Sequence, residues 1–186
     1  MQPELTSALI RIAPFILLIV VFSTRLRSGS IVAADIDLRF PPRPAFAFAW
    51  WLGFALYILA FEAVLYKAGL LELGGFRHQG LPAALMIAGM VLLAPIAEEL
   101  LFRGLFLNWL TRRLGRFNYA VVAQALVFVA VHNFTWRGDL AGGIGAAQTL
   151  IDATLYAYAR RYSQSLLTPI AMHATGNLVA VAEMLA

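Results

Sequence analysis

Residues 7–23 carry a single charged side chain, Arg11, and long apolar runs recur at roughly 45–68, 81–110, 118–134, 140–158 and 165–185. A helix needs about 20 mostly apolar residues to cross the hydrocarbon core of a bilayer. This repeated length restricts the fold more than any single residue does. The fold predicted is an all-α membrane protein, a bundle of about six transmembrane helices with an intramembrane polar site. Composition agrees: of 186 residues 61% are hydrophobic and 13% charged, and the mean hydropathy is +0.78. A soluble domain would be about a quarter charged. The fifth run is the weakest, since it opens on "AGGIGAA" and carries Gln148 and Asp152. Its Gly142 and Ala146 stand in the small-xxx-small spacing that lets membrane helices approach closely.

The chain has no cysteine, which excludes disulfides, thiolate zinc sites and a cysteine nucleophile. Its net charge is +4, but no cationic run interleaved with aromatics points to nucleic acid. The arginines instead report topology. Arg25, Arg27, Arg39, Arg43, Arg112, Arg113, Arg116, Arg160 and Arg161 follow the odd-numbered runs, against Lys67, Arg77 and Arg137 on the other side. By the positive-inside rule both termini lie outside. The N-terminus lacks the basic region of a secretory signal, so no cleaved signal is expected. Absent cysteines and short loops fit a bacterial inner-membrane protein. No repeat or second domain is visible; residues 1–80 read as N-terminal membrane helices with a cytoplasmic loop, and 81–186 as the functional core of one membrane domain.

Within the third run, "APIAEELLFRG" at 94–104 places Glu98, Glu99 and Arg103 where charge is costly. Pro95 removes a backbone hydrogen bond just before the glutamates and is expected to kink the helix. Glu99 and Arg103 are four apart, so they share a face and can pair as a structural lock. Glu98 is turned by about 100° from Glu99 and has no partner on its own helix.

Two further polar sets lie in apolar runs: His132 in "FVAVH", one turn after Phe128, and His173 with Asn177 in "HATGN". Singly, each reads as hydrogen-bonding between helices. Depth favours a joint role. At 1.5 Å per residue, Glu98 lies ~21 Å from Arg112, His132 ~24 Å from Arg116 and His173 at least ~18 Å from Arg161. Three helices thus bring an acid and two imidazoles to a similar level. A carboxylate can take a proton from water and a histidine can hold that water or donate to an oxyanion, as can an asparagine amide. Alternatively Glu98, His132 and His173 supply the three ligands of an open zinc site. Either set suits amide hydrolysis, with a divalent metal or with none. The HExxH and Gly-x-Ser-x-Gly motifs are missing.

These residues resemble the CPBP family, which groups CAAX prenyl proteases with bacteriocin-processing and self-immunity membrane proteins (the Abi family). "EELLFRG" matches its EExxxR motif, "FVAVH" its FxxxH and "HATGN" its HxxxN/D, in family order over about residues 81–186. The resemblance implies an intramembrane peptidase acting on a membrane-associated peptide or protein. It implies Glu98 as the water-activating group, His132, His173 and Asn177 as the other active-site residues, and Glu99, Arg103 and Phe128 in support. Asp152 lies outside the motifs and is read as structural or as lining the substrate path. The other readings are a non-proteolytic scaffold or self-immunity protein of the same fold, and a proton-relaying transporter. The transporter is disfavoured by the lack of an internal repeat.

Overall fold

The computed structural model of the chain describes residues 3–71, 73–76, 78–132 and 138–186. Among the described residues six helices follow one another: α1 (Pro3–Arg27), α2 (Pro44–Lys67), α3 (Gly80–Leu114), α4 (Phe117–Ala130), α5 (Leu140–Ser163) and α6 (Leu167–Leu185). Among the described residues there is no strand, as the apolar runs predict for an all-α membrane protein. Among the described residues three helices are long and apolar enough to cross a membrane: α1, α2 and α3. The expected span 118–134 is a 14-residue helix that stops at Ala130. Residues 133–137 lie outside the described residues, and with them Arg137; Arg77 does too.

Helix ends follow local chemistry. Asp139 caps α5, its Oδ1 accepting from the Gly142 N–H at 2.7 Å, which satisfies one of the orphan donors of the first turn. The end of α3 is Gly115, whose φ of +66° is the left-handed stop that glycine adopts without a side-chain clash.

Helix α3 departs from the expected simple kink. It widens into two π-helical stretches, Gly89–Leu93 and Leu100–Phe106, on either side of the α-helical segment Ala94–Glu99. The first precedes Pro95, whose missing N–H cannot continue a regular α ladder. π turns of this kind often accompany functional sites. The second stretch has no counterpart among the sequence signals.

The chain divides into two compact units. The first comprises residues 1–32, 49–98 and 170–186. Here α1 packs on the first part of α3, and Gly89 permits the approach: a Cβ there would stand 2.4 Å from Ile12 Cγ2. Beside this contact lies a cavity of about 310 Å³, lined by Arg11, Ile12, Phe15, Met86, Gly89 and Met90. Gly89→Ala is expected to destabilise the protein by about 1–3 kcal/mol through overpacking. Ile12→Ala, which removes Cγ2, should therefore cost less in the Gly89→Ala protein than in the wild type. Thermal unfolding of the single and double variants checks this, and an unchanged midpoint for Gly89→Ala would contradict the close contact. On α6, Thr175 Oγ1 accepts from the Trp51 indole of α2 at 2.9 Å. Backbone bonds from Gly74 and Phe76 to the Glu183 and Met184 carbonyls secure the end of α6.

The second unit comprises residues 33–48 and 99–169. Its α4 packs on α5 and on the last part of α3. Small side chains at the contacts, Ala120, Ala125, Ala153 and Ala157, are completely buried and bring these helices close together. Leu107, Leu110 and Val121 fill one cluster, Phe102 and Phe128 another. The polar stretch after α1 is more than a connector. Ile36 is buried, the Leu166 N–H donates to Asp37 O at 2.8 Å, and Ser165 Oγ donates to Arg39 O at 2.5 Å. Asn108 Nδ2 donates to Asp35 O at 2.7 Å.

Candidate active site

The division between units falls between the adjacent glutamates, Glu98 in the first and Glu99 in the second. In the first unit, Glu98 Oε2 stands 3.9 Å from His173 Nε2, with the two side chains 20% and 8% exposed. That separation exceeds a direct hydrogen bond. Oε2 itself is buried and has no hydrogen-bond partner among the described residues. One turn after His173, Asn177 Nδ2 donates to the Met90 carbonyl at 2.7 Å. The first unit thus holds Glu98, His173 and Asn177 together on α3 and α6.

The second unit holds the rest. Arg103 and Glu99 are fully buried and paired, Nη1 donating to Oε1 at 2.7 Å. A buried ion pair is tolerated only where further bonds satisfy it. Arg103 Nη2 donates to the Ala153 carbonyl at 3.2 Å, and the guanidinium carbon lies 4.4 Å from the Phe128 ring centre and 5.1 Å from that of Tyr156, within cation–π range. The Phe128 ring in turn lies against the His132 imidazole, tilted by 45° with ring centres 4.5 Å apart. His132 Nδ1 lies 2.6 Å from the Phe128 carbonyl. A carbonyl only accepts, so Nδ1 carries the hydrogen, and in the neutral ring Nε2 is the acceptor. The ion pair, Phe128 and His132 therefore form one contiguous set. Asp152 is half-buried on α5, next to the Ala153 carbonyl that serves both Arg103 and Gln124.

Several residues of this framework do not stand out in the sequence. Arg160 counts there only as a topology charge, yet its side chain is 5% exposed. It donates to the Arg103 carbonyl, to Asn108 Oδ1 at 3.0 Å and to Asp37 Oδ2 at 3.0 Å. Burial lowers the pKa of this guanidinium, which lies beyond the apolar run 140–158, and the Asp37 carboxylate acts to raise it again. The available signal is Asp37 itself, an acid in an arginine-rich stretch. Gln124, buried on α4, and Trp51 carry no signal beyond residue type. Asp37→Ala is expected to cost about 1–3 kcal/mol by leaving Arg160 without its charged acceptor. An unchanged unfolding midpoint would show that the pair contributes nothing.

Among the described residues no three His, Asp or Glu side chains are grouped so that they could hold a metal ion. The Glu98–His173 pair offers two ligands, short of the three of an open zinc site.

The family described as Type II CAAX prenyl endopeptidase Rce1-like matches residues 80–179. No curated protein and no solved structure matches the chain.

Proposed function

We propose that this chain, which belongs to the Type II CAAX prenyl endopeptidase Rce1-like family, hydrolyses a peptide bond of a membrane-associated peptide or protein, with Glu98 as the general base. The observation that carries this reading is the Glu98 carboxylate: Oε2 is buried without a hydrogen-bond partner among the described residues and lies 3.9 Å from His173 Nε2. No protein donor competes for the lone pairs of such an oxygen, and once a water is admitted the imidazole beside it can hold that water in place.

In the reaction, Glu98 takes a proton from water as the water oxygen bonds to the carbonyl carbon. Negative charge moves onto the carbonyl oxygen, where N–H donors stabilise it. The proton then passes to the amide nitrogen, the C–N bond breaks, and an acid and an amine leave. Asn177 has two amide hydrogens; one is on the Met90 carbonyl and the second is assigned to the oxyanion. His132 is assigned to the same reaction on its motif. Glu99 and Arg103 support the site, as does Phe128 through its contacts to Arg103 and His132. The bacterial inner membrane is part of the proposal and rests on the absent cysteines and short loops; both termini outside is part of it too and rests on the arginine distribution, with water entering from the cytoplasmic face.

The test is cleavage by purified protein in liposomes, against a library of membrane peptides that includes prenylated C-termini, with products identified by mass spectrometry. Products from the wild type and none from Glu98→Gln support the assignment. Equal products from both overturn it. No products from either folded protein favour the scaffold or self-immunity reading. A chelator added to the active sample reads metal dependence directly.

A further inference from the structure

We infer that Asn177 is a register lock for the helix that carries Glu98, supplying the hydrogen bond that Pro95 cannot. The Met90 carbonyl is the group at stake. In a regular α-helix its donor would be the N–H of Ala94, but that N–H goes to the Gly89 carbonyl, one residue further back. With the ladder widened in this way, the next donor in π register would be residue 95. Residue 95 is proline and has no N–H. The Met90 carbonyl is therefore left without a donor from its own helix, and Asn177 Nδ2 meets it at 2.7 Å from α6.

This bond matters because Glu98 lies just beyond it on the same helix. A π turn holds one residue more than an α turn. If the stretch Gly89–Leu93 relaxed to α register, everything beyond it would rotate by one residue, about 100°. Ala97 would then take the direction now held by Glu98, and the carboxylate would turn away from His173. Neither Glu98 nor Glu99 would then hold that direction. His173 and Asn177 are one turn apart on α6. That helix therefore carries both the group that meets Glu98 and the group that keeps Glu98 facing it.

Asn177 is a positioning residue in this role. Its bearing on catalysis rests on Glu98 being the general base, but the lock itself does not, and geometry can be read without any cleavage assay. The chain has no cysteine, so introduced pairs are its only thiols. Two pairs are compared in folded, liposome-embedded protein with a short bifunctional thiol reagent: Glu98→Cys with His173→Cys, and Ala97→Cys with His173→Cys. In the otherwise wild-type chain the 98–173 pair should cross-link and the 97–173 pair should lag. Adding Asn177→Leu should move the ratio toward 97–173 by about tenfold, the scale of one lost buried hydrogen bond. Adding Pro95→Ala to that protein lets the residue 95 N–H meet the Val91 carbonyl in α register and should move the ratio further toward 97–173. Asn177→Ala, which removes the donor without adding bulk, replaces the leucine variant if that one does not fold. An unchanged ratio in the Asn177 variants overturns the lock. So does loss of the 98–173 pair without gain at 97–173, since the helices would then have separated rather than slipped. A Pro95→Ala change that moves the ratio back toward 98–173 overturns the role given to the proline. A peptidase assay that fails while the cross-links behave as stated removes the catalytic reading and leaves the lock standing.

Discussion

Glu98→Gln is expected to lower peptide cleavage by about 10²–10⁴-fold, the usual contribution of a general base, with little change in thermal stability. Glutamine keeps the size of the side chain and one carbonyl oxygen, but it cannot accept the proton of the attacking water. Stability should hold because Oε2 has no hydrogen-bond partner among the described residues, so no bond to that oxygen is lost. The comparison with Glu99→Gln sharpens the result. Glu99 is fully buried against Arg103, so its loss should show first in folding yield and unfolding temperature. Cleavage per folded molecule and unfolding midpoint, measured for both variants, separate the two glutamates. Turnover retained by Glu98→Gln would falsify its role as base.

The largest stability effect is expected at Arg103. Arg103→Ala leaves the Glu99 carboxylate buried without its ion-pair partner, which costs about 3–5 kcal/mol. It also removes the bond to the Ala153 carbonyl and the cation facing Phe128 and Tyr156. The protein should fold poorly at temperatures the wild type tolerates. Pairing Arg103→Met with Glu99→Gln removes both charges and should lose less than the two single changes added together, because neither partner is then stranded. Strictly additive losses, or an Arg103→Ala protein as stable as wild type, would show that the pair is not the lock described.

Family membership was legible because the three motifs are short and local. "EELLFRG", "FVAVH" and "HATGN" each need only one helix to be read, and residues 80–179 match the family over the same region. The Glu99–Arg103 geometry was legible for the same reason, since a spacing of four within a helix decides which side chains meet. The buried place of Arg160 was not. Its acceptors come from Asp37, Asn108 and the Arg103 carbonyl, far apart in the chain, and the positive-inside rule counts a loop arginine without asking what it touches. Trp51 reaching Thr175 and Asp37 folding back onto Leu166 belong to the same class of contact.

Apolar run length by itself determined that the chain folds as helices in a membrane, since lipid offers the backbone no other partner and a helix satisfies itself. Residue spacing likewise determined that Glu98 and Glu99 must face different ways. Only the tertiary structure decided the register between them and their surroundings. Pro95 announced an interruption from the sequence, but whether the helix would kink, break or widen depended on which outside donor could reach the Met90 carbonyl. Asn177 reaches it from a helix 87 residues away along the chain, and hydrogen bonds of that range are set by packing rather than by local sequence.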